Sequence, residues 1–491
     1  MPRRVVVLGG GISGLAAAYT LARAREAGAP IVESLIEAGD RLGGVIRTER
    51  CEGFLIEAGP DSFLTEKPET AALCRELGLG DLLIGSKEEY RRTYILHRGR
   101  LVELPEGLQL FAPTRLWPVL ASPLIPPRSK LAALIEWFKS PPSMAAAEDG
   151  SVADFVRRHF GDGVLENIAD PLLAGVYGGD SGRLSAQAVL PRLWELEQKH
   201  GSLIRALRKS RALARQAKQD SKDNQAQAAK TLAPLFTTLK DGLGLMVDGL
   251  KSRLARTRVF LGERALEIEN CPAGAEGRVN PDTHAYKVRN ERGAVHEAVA
   301  IVLALPAYES ARLVSSLDAD LAESLKAIPY TSALTVALAY EAAACEHFPL
   351  GSGFLVPKKE DRRLLACTFV HRKFPHRVPP AKALLRCFLG GSRDPGALDL
   401  GDDEIVSILQ RELKDILKLS AEPLFCRISR WPRSMPQYVV GHGERLEKIR
   451  AQLGSHPGLF LAGNAYSGIG MSDCIRSGRA AAERALSYVL G

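Results

Sequence analysis

Two hydrophobic signatures alternate over the first forty residues. Val5-Val6-Val7-Leu8 is a continuous apolar run, as a strand buried on both faces requires, and the Ala-rich segment 15–25 follows as a helix. A second apolar run, Ile31 to Ile36, ends in Glu37. The pattern predicts strand, helix, strand. Further along, Pro68 opens a short helix near Thr70 to Leu77, and Tyr94 to Leu104 reads as a β-hairpin about Arg98-Gly99. Ser151-Val152-Ala153-Asp154 has the Ser-x-x-acid form that starts a helix. Asp170 to Ser185 is glycine-rich and reads as an irregular loop. Residues 209–230 are polar and helix-prone with little apolar periodicity, which suits a solvated insertion. Ala298 to Leu305 predicts a buried strand closed by Pro306. Strand-like runs at Ser332–Tyr340, Leu364–Val370 and Ala383–Leu389, interrupted by an amphipathic helix over Asp403–Leu419, predict an antiparallel sheet. A helix from Ser472 closes the chain.

The stretch 110–140 differs in character. Phe111, Leu116, Trp117, Val119, Leu120, Leu124 and Ile125, then Leu131 to Phe138, are punctuated by Arg115, Arg128, Lys130 and Lys139. Two readings stay open: a segment lying on an anionic bilayer face, or a helical cap whose side chains join an ordinary core. Prolines at 118, 123, 126 and 127 break its apolar run, so no spanning helix is expected, and no signal peptide is visible.

At 491 residues the chain calls for two or three domains. The net charge of +8 favours anionic surroundings, but no nucleic-acid motif accompanies it and aromatics make up only 6%. The eight cysteines form no C-x-x-C pair, which points to reduced thiols and a cytoplasmic setting, not a disulfide framework or a metal site. His371 and His376 read as surface or loop residues.

The chemistry gathers at the two ends. Gly9-Gly10-Gly11-Ile12-Ser13-Gly14 holds G-x-G-x-x-G spacing between the first strand and helix. Its glycines supply a sharp turn, close backbone approach to a pyrophosphate and tight helix-on-strand packing. The helix N-terminus then offers free N–H groups to phosphate. Glu37 lies 23 positions past Gly14, about where a ribose-binding carboxylate belongs.

After Glu37 the chain reads Ala38-Gly39-Asp40-Arg41-Leu42-Gly43-Gly44-Val45, then Gly59-Pro60-Asp61-Ser62. This resembles the amine-oxidase-like FAD superfamily. Leu172 to Asp180, Arg430-Trp431 through Tyr438, and Leu461-Ala462-Gly463-Asn464 through Ile469-Gly470-Met471 to Gly478 narrow the likeness to the protoporphyrinogen oxidase family, over nearly the whole chain. The resemblance implies an α/β plus α+β architecture. It has a Rossmann-like FAD-binding domain of the amine-oxidase/p-hydroxybenzoate-hydroxylase type, a mixed-sheet substrate domain and a helical domain open to membrane association. On that likeness, 1–90, 236–310 and 440–491 form the FAD domain, 91–210 the helical cap, 209–230 an insertion and 311–440 the substrate domain.

The resemblance also puts non-covalent FAD on Gly9 to Gly14, Glu37, Ala38, Arg41, Gly43, Gly44, Val45, Gly59 to Ser62, Ala265, Trp431, Asn464 and Ile469 to Met471. It implies oxidation of protoporphyrinogen IX to protoporphyrin IX by hydride transfer to flavin N5, with molecular oxygen giving hydrogen peroxide. No catalytic acid or base is assigned, and Cys474 is expected to be a packing residue. Members of the family that act on protoporphyrinogen often place an arginine just before the hairpin's first aromatic residue, where it meets a propionate. Here that position is Thr93, with Arg91 and Arg92 adjacent: either Arg92 substitutes by a small shift, or the carboxylate contact is made differently; Gly175 is the other substrate candidate. This departure keeps coproporphyrinogen III open as substrate. An amine or carotenoid oxidase, and a porphyrin-binding carrier, are the rival readings. A homodimer and the inner face of a membrane are left open as further associations.

Overall fold

The computed structural model describes residues 2–142, 149–220, 234–271 and 285–491. The chain divides into two compact units, one of Met1–Ser86, Leu235–Tyr330 and Gly443–Gly491, the other of Lys87–Pro234 and Thr331–His442.

The first unit is built on a five-stranded parallel sheet. Its order is Arg258–Leu261, Ile31–Glu37, Arg3–Leu8, Ala300–Leu303, Leu459–Leu461. The central Val5 to Leu8 run is buried on both faces, as parallel strands require. Val5 and Val7 join the core that includes Leu15 and Leu21 of the Ile12–Glu26 helix and Ile475 and Ala482 of the Met471–Leu490 helix. Val6 and Leu8 join a second core with Leu313 and Leu325, from the helices Ala307–Val314 and Ala319–Lys326. Both helices therefore belong to this unit, which runs to Tyr330 and not to 310. An antiparallel sheet of Ala265–Asn270, Tyr286–Asn290 and Val295–Ala298 completes the second core. The chain ends are fastened together: a Cβ on Gly478 would lie 2.1 Å from the Ser13 carbonyl oxygen, so the first and last helices touch backbone to backbone.

The second unit carries a seven-stranded sheet in the order Phe425–Pro436, Tyr330–Glu341, Lys382–Gly390, Ala366–Phe369, Gly353–Leu355, Thr93–His97, Arg100–Glu103. The sheet is mixed, not purely antiparallel, because Thr93–His97 adds parallel to Gly353–Leu355. That pairing also corrects the division of 91–210 from 311–440: the hairpin supplies two strands to the sheet, so both ranges form one unit. One sheet face packs Leu338, Phe354, Leu385 and Cys387 against Leu409 and Leu413 of the Asp402–Leu417 helix.

Two further expectations are revised. Asp170–Tyr177 is an α-helix, preceded by a π-helical turn at Leu165–Ala169. Pro171 stands at the junction of the two, and Gly178 ends the helix at φ +58°. Residues 209–220 continue the Leu203–Asp220 helix, while 221–230 lie outside the described residues. In the stretch 110–140, Phe111, Val119, Leu124, Ile125 and Ala133 are buried as an ordinary core demands. Trp117 and Phe138, at 78% and 79% exposed, are not. No helix among the described residues is long and apolar enough to cross a membrane.

Candidate functional site

In the first unit the glycine fingerprint separates into distinct tasks. Gly9 turns at φ +101°, and a Cβ there would lie 2.5 Å from the Ala304 carbonyl oxygen. A Cβ on Gly14 would lie 1.8 Å from the Gly9 carbonyl oxygen, so Gly14 is a packing requirement. Gly11 differs: a Cβ there would meet nothing within 4 Å. It is the N-cap of the Ile12–Glu26 helix, with no side-chain cap and no acidic residue in the first turn. Open space in front of uncapped N–H groups at a positive dipole end is what a pyrophosphate needs.

Glu37 ends its strand beside this cradle. Its Oε2 accepts from the Gly10 N–H at 2.6 Å and its Oε1 from the Gly39 N–H at 2.7 Å. A carboxylate has about four acceptor sites, so two backbone donors orient Glu37 and leave capacity for ribose hydroxyls. Ala38 and Gly39 form the turn that follows, and the Gly39 carbonyl is bonded by the Gly262 N–H. The residues present therefore suit the phosphate and ribose portions of a dinucleotide.

Arg41 lies in the loop that follows. Its guanidinium donates to the carbonyls of Leu42, Gly44 and Ile46, at 3.2, 2.5 and 3.1 Å, and so shapes the loop. Gly43 bonds through its N–H to the Gly10 carbonyl, and a Cβ on Gly44 would lie 3.2 Å from the Gly11 Cα. This loop thus lies against the fingerprint, with the Val45 side chain exposed. Gly59 approaches the Val45 carbonyl so closely that its Cβ would lie 1.8 Å away. Ser62 donates to the Asp61 carboxylate at 2.8 Å, and Thr238 donates to the Asp61 carbonyl at 3.0 Å. Ala265 starts its strand at a β-bulge, and its carbonyl accepts from Arg312 at 2.7 Å.

The C-terminal cluster is in the same unit. Asn464 follows Gly463, whose N–H donates to Ser477 Oγ at 3.1 Å. Ile469 and Gly470 lead into the last helix, which begins at Met471 with Gly470 as an N-cap lacking a side-chain partner. Motif reasoning missed the support beneath it. Asp473, buried in the first turn, takes Lys67 Nζ at 2.6 Å and Arg476 Nη2 at 2.5 Å, and Thr70 bonds Ser472 at 2.7 Å. Lys67 and Asp473 lie 406 positions apart, so no local pattern announces them. Cys474 is buried, and that burial pushes its thiol up to about 12, consistent with packing and not nucleophilic attachment.

Trp431, Arg92 and Gly175 are in the second unit. Trp431 sits on Phe425–Pro436, where its carbonyl accepts from Ser434 Oγ at 3.0 Å. Arg92 precedes the Thr93 strand, half-exposed, with its Nε 3.5 Å from Glu103 across the hairpin. Gly175 is exposed on the Asp170–Tyr177 helix, and a Cβ there would meet Leu355 Cδ2 at 3.4 Å. His371 is not a free surface residue: its Nδ1 lies 3.2 Å from the Leu384 carbonyl and burial pushes the imidazole down to about 4. No cluster of metal-ligating side chains occurs among the described residues.

Comparison with known proteins bears on this geometry. The family model of flavin-containing amine oxidoreductases matches residues 12–486. The coproporphyrinogen III oxidase of Bacillus subtilis (strain 168) is 33% identical over 489 residues, covering 99% of this chain and 98% of its own. Protoporphyrinogen oxidase 1, chloroplastic, of Spinacia oleracea is 30% identical over 500 residues, covering 99% and 84%. A crystal structure from Exiguobacterium sp. 255-15, described as a candidate protoporphyrinogen oxidase, matches with a TM-score of 0.83 at 28% identity, over 99% of both chains. The chain belongs to the flavin-containing amine oxidoreductases, and within them to the porphyrinogen oxidase family. It is a flavin oxidoreductase.

Proposed function

We propose that this protein uses FAD and molecular oxygen to oxidise coproporphyrinogen III to coproporphyrin III. The observation that carries the reading is the open Gly11 cradle beside the backbone-oriented Glu37 carboxylate, in a chain that matches the Bacillus subtilis coproporphyrinogen III oxidase nearly end to end. FAD, when bound, would supply the hydride acceptor, with three two-electron turnovers per macrocycle and one oxygen molecule reduced to hydrogen peroxide in each.

The protein's own part is holding and orienting. The N–H groups after Gly11 hold the pyrophosphate, Glu37 the ribose, and the Ala265 segment the adenine end. The helix that starts at Met471 would offer its N-terminal dipole to negative charge on a bound flavin. Asp473 sits in that first turn, and Lys67 and Arg476 offset its charge there. No side-chain acid or base is needed, because the macrocycle redistributes its own protons.

Protoporphyrinogen IX is the second reading, favoured by the Spinacia oleracea relative, which this chain covers over less of its length. Anaerobic mixing separates the two. Coproporphyrinogen III is expected to bleach the flavin faster than protoporphyrinogen IX, with colour and peroxide returning on admission of oxygen. Faster bleaching by protoporphyrinogen IX would install the second reading; bleaching only by an amine would remove both.

A further inference from the structure

We infer that Lys67 sets the reduction potential of the flavin by neutralising Asp473 in the first turn of the last helix, an assignment that rests on the FAD reading. Two helices that start without a side-chain cap meet in the first unit, those beginning at Ile12 and Met471. A Cβ on Gly478 would lie 2.1 Å from the carbonyl oxygen of Ser13, in the turn that follows the Gly11 cradle. Gly478 and Met471 are seven positions apart, roughly 10 Å of helix. A ring joined to a pyrophosphate at Gly11 by a short chain can reach across that interval. Both helix starts therefore fall within the length of one dinucleotide.

Asp473 works against the second of them. A helix N-terminus beside a flavin favours the reduced ring, because it attracts negative charge, and a buried carboxylate in the same turn opposes it. Asp473 is only 3% exposed and lies directly beneath the turn. A Cβ on Gly468 would be 2.6 Å from its Cγ, and one on Gly470 3.0 Å from its Oδ2. An acid in the first turn also steadies the helix, which gives the carboxylate a structural use. Its charge still has to be balanced.

Lys67 balances it. Lys67 Nζ donates to Asp473 Oδ2 at 2.6 Å, while Arg476 donates to Asp473 Oδ1 at 2.5 Å and to Glu69 Oε1 at 2.7 Å. Arg476 is thus matched by Glu69, which leaves Lys67 to offset Asp473. Local structure brings the lysine there. It is the N-cap of the Pro68–Glu76 helix, its carbonyl accepts from Ser472 Oγ at 3.2 Å, and Thr70 bonds Ser472 at 2.7 Å. The backbone at position 67 is held by these contacts without the ammonium. Lys67 acts through Asp473 and is a positioning residue.

Potentiometry of the flavin-loaded protein tests the assignment with no porphyrinogen present. Lys67→Met leaves one negative charge unbalanced, so the equilibrium constant for two-electron reduction should fall about tenfold or more, a potential more negative by about 30 mV. Asp473→Asn removes the negative charge and should move the potential the opposite way. The double variant Lys67→Met/Asp473→Asn should return close to the unaltered value, and Lys67→Arg should stay within about threefold of it in that constant. A merely structural role would shift both single variants in one direction or neither; either result, with flavin retained, overturns the assignment. If Lys67→Met does not retain flavin, Lys67→Gln keeps a donor to Asp473 without the charge and carries the same expectation. Loss of flavin from that variant too marks Lys67 as structural and overturns the assignment. An unaltered protein that binds no flavin fails the FAD reading first. Opposed shifts in a protein that oxidises neither porphyrinogen would support the role of Lys67 and remove only the substrate.

Discussion

Two polar sites, one in each unit, are held by different means. In the first, the cradle is made of backbone: Gly11 leaves open space, Gly10 and Gly39 donate N–H groups to Glu37, and the partners sit in adjoining turns. In the second, buried side-chain charges meet across distant elements. Glu136, fully buried, accepts from Ser202 Oγ, the Leu203 and Ile204 N–H groups, and faces His159 at 3.1 Å. His159 in turn faces Glu197 at 2.8 Å, and Arg158 grips Glu197 through both Nε and Nη2. Backbone cradles tolerate side-chain variation and fail by steric intrusion, whereas buried charge networks fail by losing one member.

The largest expected effect separates packing glycines from ligand-facing ones. Gly14→Val must displace the Gly9 carbonyl, so it should cost at least about 3 kcal/mol and yield little folded, flavin-loaded protein. Gly11→Ala meets no atom of the protein and has ordinary extended backbone, so its folding cost should stay at about 0.5–1 kcal/mol. Its flavin content should nevertheless fall sharply. Melting temperature and flavin-to-protein absorbance read the two effects separately; full flavin in Gly11→Ala would place the phosphates elsewhere.

Next is the network in the second unit. Glu136→Leu strips the start of the Leu203–Asp220 helix of its acceptor and leaves His159 with one carboxylate neighbour, a loss of about 3 kcal/mol by denaturant titration. A loss below about 1 kcal/mol would show that the backbone, not the carboxylate, holds that helix start.

How much of this was legible in the sequence follows from the same contrast. Gly9 to Gly14 and Glu37 could be read because their geometry is local: turn, cap and strand end follow one another along the chain. Asp473 with Lys67 was not readable, since its partner arrives from the other end of the polypeptide. The stretch 170–185 reads as a loop because glycines stand at 175, 178, 179 and 182, but Asp170–Tyr177 is helical and Gly178 ends it. The hairpin at 93–103 was recognised, but not the parallel partner that carries it into the large sheet, because strand pairing at that separation leaves no periodic trace.

A smaller effect is expected at Glu37. Glu37→Gln retains size and one acceptor but not the charge, so charge-assisted bonds worth about 1.5–3 kcal/mol weaken. FAD should bind roughly 10- to 100-fold less tightly by reconstitution titration, and because the amide NH2 must face one of the two backbone donors, flavin-free protein should also lose about 1–3 kcal/mol. An unchanged FAD affinity would mean that Glu37 serves only the Gly10 and Gly39 turns.

The smallest effect distinguishes the units by pH. In the first, Asp318 caps the Ala319–Lys326 helix: its carboxylate accepts from the Leu321 N–H at 2.9 Å and faces His456 at 2.8 Å. Both hold the carboxyl below its usual range. A depressed folded-state pKa stabilises the fold fully above the unfolded value, about 3.9, and that contribution is lost as pH falls through the folded value. In the second unit burial raises Glu197, yet His159 and Arg158 outweigh it and the net direction is also down, so its contribution has the same sign. Asp318→Asn keeps a good N-cap but removes the titration. Because Asp318 is partly solvated, the change should stay under about 1 kcal/mol and be confined to acid, with stability at pH 7 preserved. Melting curves between pH 7 and pH 3 should therefore show a slightly shallower acid limb in the variant. An unchanged limb would show that the Asp318 carboxylate adds nothing measurable to acid stability.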